Sequence, residues 1–155
     1  MLGMELHITA TTGREFVPFL RRHLSAAHAL MESGVRELSL ALVGEHRMIQ
    51  LHEKFMDLAT PTDVLTFPLE MDRHNRALSG EVVICVPVAR RQARETGNSA
   101  RNELLLYAVH GLLHLGGWDD RTQRQYRRMH QMEDRILRRL GIGPVFAAPI
   151  REGRR

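Results

Sequence analysis

This chain is short of several things at once, and each shortage excludes something. It holds one cysteine, Cys85, in 155 residues. No disulfide can form within it, and the composition fits a reducing compartment. Cys85 lies in the apolar run Val82-Val83-Ile84-Cys85-Val86, which reads as a buried, inert thiol rather than a nucleophile. Aromatic residues are only 5% of the chain, so Leu, Val, Ile, Ala and Met must supply most of the packing. No apolar run approaches ~18 residues, so no membrane span is expected. The first residues lack a basic segment followed by an apolar one, so no secretory signal is expected either. The expected location is the cytoplasm. Lysine is almost missing: Lys54 is the only one among 22 basic residues.

What is present bounds the rest. Hydrophobic residues make up 43% of the chain, enough for one core at this length. The expectation is a single domain over residues 1–155, with 141–155 as a loosely ordered tail. The net charge of +4 and the pI near 10.2 permit contact with nucleic acid without requiring it. Arginine suits bidentate contact with phosphate, although a GC-rich coding bias produces the same skew.

Periodicity predicts about four strands interleaved with about five helices, an α/β or α+β domain with a small mixed sheet. Strands are predicted at 5–11, 37–43, 63–67 (ended by Pro68) and 81–86. Helices are predicted at 14–33, 46–58, 87–97, from Asn98-Ser99 through the histidine-bearing run, and 121–140. Residues 70–79 read as a hairpin connection or a mobile loop. Glu103 is placed to favour the N-terminal dipole of its helix.

The chemistry concentrates in His110-Gly-Leu-Leu-His114-Leu-Gly116-Gly117-Trp118-Asp119-Asp120. Histidines four residues apart share one helical face. The two glycines let the chain reverse and return a third ligand, Asp119 or Asp120, toward the pair. Two imidazoles and a carboxylate leave a divalent ion such as zinc Lewis acidic, with a position free for water, which suits hydrolysis. Many zinc proteases carry a glutamate general base directly after the first histidine. That position is Gly111 here, which argues against proteolysis. The base is then water on the metal itself, a spare aspartate at 119 or 120, or a carboxylate from elsewhere, Asp63 or Glu81.

The same segment resembles the H-G-x-L-H-L-x-G-[YW]-D-H signature of the YbeY family of metal-dependent bacterial endoribonucleases. Three further blocks match in order and spacing. Pro61-Thr62-Asp63-Val64-Leu65-Thr66-Phe67-Pro68 resembles P-T-D-V-L-S-F-P. Gly80-Glu81-Val82-Val83-Ile84-Cys85 resembles G-D-I-x-I-C. Met129 and Glu133 match M-x-x-x-E in the last helix. The resemblance covers roughly residues 5–141. It implies one zinc ion per chain, held by His110, His114 and Asp120, with Asp119 and Asp63 as catalytic-site carboxylates. It also implies cleavage of single-stranded RNA in 16S rRNA maturation and ribosome quality control, with rRNA and the ribosomal small subunit as partners.

Two positions depart from the pattern. The family's third histidine is Asp120, which adds negative charge to the ligand set, weakens the ion as a Lewis acid and widens the choice toward harder ions such as Mn²⁺. The family's L-N-x-x-[YF]-R stretch is Leu51-His52-Glu-Lys-Phe55-Met56, so Met56 stands where an arginine would face the scissile phosphate. This substitution favours an alternative in which the chain is a ribosome- or RNA-binding assembly factor with weak or no nuclease activity. His52 reads as a surface helix residue or a polar group in the cleft. Asp119 doubles as a candidate cap of the final helix.

Overall fold

The computed structural model describes residues 3–56 and 63–145. In chain order these are β1 (Glu5–Ala10), a single 3-10 turn (Arg14–Phe16), α1 (Val17–Leu30), β2 (Glu37–Val43), α2 (Glu45–Met56), β3 (Val64–Met71), β4 (Ala77–Cys85), α3 (Val86–Thr96), α4 (Ala100–Leu115) and α5 (Gln123–Arg139). The expected class holds: among the described residues, one four-stranded mixed sheet is packed by five α-helices. Strand order is β1-β2-β4-β3. β1, β2 and β4 run parallel, and β3 pairs antiparallel with β4 at the edge.

Side-chain alternation divides the core between the two faces of the sheet. Leu38, Leu40 and Leu42 of β2 and Val82 and Ile84 of β4 join the larger cluster, which takes in α1, α4 and α5. Val43, Val83 and Cys85 face the other way and pack with Met48 of α2 and Val88 of α3. α2 buries the i, i+4 pair Met48 and His52. His52 is therefore a buried residue and not a surface one, because the same helical stripe that carries Met48 carries the imidazole.

Three boundaries differ from the sequence reading for physical reasons. β3 does not stop at Pro68 but runs on to Met71. At the edge of the sheet a missing N–H breaks no ladder bond, and the register shifts just beyond it, between Pro68 and Glu70. The hairpin alternative for 70–79 is the one realised, and β4 starts at Ala77. Asp72 Oδ1 accepts the backbone N–H groups of His74 and Arg76 at 2.8 and 2.9 Å, and Asn75 takes the left-handed conformation that such turns favour. The tail also begins later than expected. Val145 is buried, and its carbonyl accepts from Asn98 Nδ2 at 2.9 Å. The rest of the expected tail, 146–155, and the Pro61-Thr62 loop lie outside the described residues.

α4 is the central strut. It is buried on nearly every side, and Ser99 caps it by accepting from Asn102 N at 3.3 Å. Two glycines let it press against the sheet. A Cβ on Gly111 would meet both γ-carbons of Val82 at 2.9 Å and Thr66 Oγ1 at 3.2 Å, and one on Gly80 would meet Leu115 at 2.6 Å. Gly111→Ala is expected to cost about 1–3 kcal/mol through overpacking. At roughly 2–4 °C per kcal/mol for a chain of this length, calorimetry should show the fall in Tm. An unchanged Tm would mean that α4 does not sit this close to β4.

Glu103 is buried in the first turn of α4 rather than displayed at the helix end. Burial raises its pKa above the ordinary 4.5, against hydrogen bonds from Tyr107 and Asn98 that lower it. The folded state thus holds this proton more tightly than the unfolded chain, and stability falls as pH rises from 4.5 through the raised value. Glu103→Gln is expected to raise Tm at pH 7, with the difference closing as pH approaches 4. A variant less stable than the parent at pH 7 would contradict this.

Candidate metal centre

α4 places His110 and His114 one turn apart near its C-terminal end. Gly116 closes the helix and Gly117 turns with φ +102°, a conformation that glycine adopts freely. The chain then doubles back and brings Asp120 to the pair. His110 Nε2 and His114 Nε2 are 3.1 Å apart. Asp120 Oδ2 lies 3.8 Å from the first and 3.6 Å from the second. Donors at the corners of a zinc tetrahedron, each about 2.0–2.1 Å from the ion, sit about 3.3 Å apart, and this triangle brackets that value.

The outer partners of both imidazoles decide which nitrogen faces inward. His114 Nδ1 donates to the carbonyl oxygen of Trp118 at 2.9 Å. His110 Nδ1 donates to Glu133 Oε2 at 2.6 Å, in a pair buried on both sides. With protons assigned to Nδ1 by these acceptors, both Nε2 lone pairs point at each other and at a carboxylate. Three lone-pair donors aimed at one point repel one another unless a cation lies between them. The donor set therefore fits a divalent ion, and the outer acceptors are those that metal-binding histidines use.

Glu133 is fully buried. Burial opposes its charge, but hydrogen bonds from His110 and His130 outweigh it and hold the carboxyl below its ordinary pKa, ionised. His130 Nδ1 contacts Glu133 Oε1 at 2.9 Å, and the Tyr126 ring packs edge-on against His130 with centroids 4.1 Å apart. Burial raises the Tyr126 pKa, aided by the charges of Glu133 and Asp120. This His110–Glu133–His130–Tyr126 chain was missed as a unit by the sequence reading, which noted Glu133 only as part of a matching block. The i, i+3 pair His130–Glu133 on the apolar side of α5 was the available signal.

Asp119 stands beside the site rather than in it. Its Oδ1 accepts from Asp120 N at 2.8 Å and its Oδ2 from Arg121 Nε at 2.7 Å. The Arg121 hydrogen bond is the main cause of a lowered pKa, opposed by partial burial. A carboxylate held this way is a weak base, and its contacts orient Asp120. It is not the helix cap either: Thr122 caps α5 in a reciprocal box with Gln125.

The structure does not bring Asp63 or Glu81 to the triad. Asp63 precedes β3, its carbonyl accepts from Cys85 N, and its charge acts on Glu103. Glu103 lies seven residues, about 10 Å, up α4 from His110. Glu81 adjoins Val82, which faces Gly111, so it points to the opposite face of the sheet. Met56 ends α2. A second grouping, Glu5, His7 and Glu37, is exposed throughout, and its donors are solvated.

Fold and site together define a small α+β domain organised around a two-histidine, one-carboxylate cluster that could hold a cation. Residues 7–141 match the family model described as Endoribonuclease YbeY, and the chain belongs to that family. Relatives named Endoribonuclease YbeY include one from Acidothermus cellulolyticus, 42% identical over 65% of this chain and 68% of that protein. One from Bifidobacterium animalis is 37% identical over 71% and 64%, and one from Beutenbergia cavernae is 38% identical over 79% and 85%. The chain thus spans about two thirds of the length of the first two and more of the third. A Thermotoga maritima protein solved in solution shares the fold, with TM-score 0.60 and 25% identity over 86% of this chain and 90% of that one.

Proposed function

We propose that this chain is a metal-dependent endoribonuclease that cleaves single-stranded rRNA in maturation of the ribosomal small subunit and in ribosome quality control. The observation that carries the reading is the convergence of His110, His114 and Asp120 on one point, in a chain of a family described as endoribonucleases. Zinc is the ion proposed, with Mn²⁺ as the harder substitute that a carboxylate ligand favours. When bound, it supplies Lewis acidity toward water and a phosphoryl oxygen. The chain's own residues hold the geometry. Glu133 fixes the ring of His110, the Trp118 carbonyl fixes that of His114, and Asp119 with Arg121 fixes the turn that presents Asp120. The domain is read as one unit over 1–155 acting in the cytoplasm. Among the described residues no helix is long and apolar enough to cross a membrane.

Arg124, Arg127, Arg128, Arg135, Arg138 and Arg139 of α5 are all exposed, a surface suited to phosphate contacts. That row, with Met56 in place of an arginine, supports the second reading, an RNA-binding assembly factor without turnover. The test is cleavage of a small-subunit rRNA precursor by purified protein, with and without chelator. Cleavage that chelator abolishes supports the nuclease; cleavage indifferent to chelator removes the metal mechanism. Binding without cleavage leaves the assembly factor.

A further inference from the structure

Beside the cation site lies a cavity of about 290 Å³, lined by Gly116, Gly117, Trp118, Asp119, Gln125 and Arg128. We infer that it is the subsite for the nucleotide next to the scissile bond, with Arg128 on its phosphate and Trp118 beside its base. The inference rests on the endoribonuclease reading and says where the RNA strand leaves the metal.

Position is the first argument. Asp119 is the residue before the ligand Asp120, and adjacent Cα atoms are about 3.8 Å apart. The Trp118 carbonyl oxygen accepts from Nδ1 of His114. Whatever fills the cavity therefore touches the turn that builds the centre. Size is the second: the volume is just below the ~300–1,000 Å³ of small-molecule sites, which suits one nucleotide and not a folded motif.

The lining chemistry is the third. Arg128 is exposed and engages no carboxylate among the described residues. A free guanidinium is a bidentate phosphate donor. Gln125 uses its side-chain oxygen to accept Thr122 N at 3.1 Å, which leaves its amide N–H groups to donate. Gly117 has nothing within 4 Å of where a Cβ would be, so a ligand can approach the backbone. Asp119 is the one acid in the lining, and Arg121 neutralises it. An aromatic residue, a cation and an amide donor together are the elements that hold single-stranded nucleic acid.

Trp118 is the only tryptophan of the chain, so its fluorescence reports the turn that lines this cavity and its neighbour, and the Arg128 variants assign the signal to this one. The experiment titrates the purified protein with a six-nucleotide single-stranded RNA whose phosphorothioate linkages resist cleavage. A saturable change in emission is expected. Arg128→Gln should weaken binding roughly tenfold and flatten the slope of log K against log salt by about 0.7, and Arg128→Lys should restore the slope. The subsite is overturned if Arg128→Gln keeps parental affinity and slope. It is also overturned if anisotropy shows saturable binding with silent emission, or if inorganic phosphate competes as well as the oligonucleotide does. Chelator-sensitive cleavage alongside any of these results leaves the nuclease reading standing without this subsite. Trp118-reported binding that depends on Arg128, without metal-dependent cleavage, keeps a nucleotide-binding cavity here and removes the nuclease.

Discussion

His114→Ala is expected to abolish stoichiometric metal binding. Structural zinc sites have apparent binding free energies of about 10–16 kcal/mol. Loss of one of three protein ligands should therefore weaken the ion by roughly 10²–10⁴-fold. His114 is partly buried, and its Nε2 lies 3.1 Å from that of His110 and 3.6 Å from Asp120 Oδ2. No described side chain is placed to substitute for it. Elemental analysis should show about one divalent ion per parental chain and almost none in the variant. A ligand that binds only the folded state stabilises by about 4 kcal/mol at a thousand times its Kd. Chelator should thus lower the parental Tm by roughly 8–16 °C and leave the His114→Ala Tm where it was. Parental metal content in the variant, or equal chelator shifts in both proteins, would remove His114 from the site.

The second large effect is expected at a residue that touches no metal. Glu133→Gln keeps the size of the side chain but replaces one oxygen by an NH2 group. Both oxygens of Glu133 face imidazole Nδ1 atoms, His110 at 2.6 Å and His130 at 2.9 Å. Glutamine can accept from one and must set a donor against the other. Outer partners of metal-binding histidines are typically worth 10–100-fold in metal affinity or activity, and a chelator-competition titration should show a loss of that size. A buried charge pair broken at one member also costs stability, so the Tm should fall. Glu103→Gln makes the contrast. The same chemical change at another buried glutamate of this core is expected to stabilise, because Glu103 is held by burial against its charge and Glu133 is held by two imidazoles in its charged form. Equal effects at both positions would show that the His110–Glu133 contact does not orient the ligand.

Much of this architecture was legible in the chain. β2 falls where its strict alternation predicts, and α4 starts where Ser99 announces it. The His110–His114–Asp120 set was readable because all three ligands lie within eleven consecutive residues, with a helical period and a glycine turn between them. Local sequence determines local geometry there. Asp63 belongs to a block that matches the family but lies outside the cluster of His110, His114 and Asp120, because strand register sets its backbone level with Cys85. Of the two alternatives for His52, the surface one fails for a related reason: the helical stripe it shares with Met48 becomes an inner face only when α2 lies on the sheet.

The sequence by itself determined the grouping of His110, His114 and Asp120, the alternation of strands and helices, and the single free, buried Cys85. Each depends on residues near one another in the chain, or on composition alone. Only the tertiary structure decided what stands behind the ligands. Glu133 is 23 residues from His110, and no periodicity states that the two will meet. Packing of α5 against α4 buries them together, and once water is excluded the carboxylate must find imidazole partners or lose its charge. The same packing determined that Asp119 orients the turn while Asp120 faces the centre. Between two adjacent aspartates the chain is neutral, and the direction of each side chain is set by the Gly116–Gly117 reversal and by the Arg121 guanidinium.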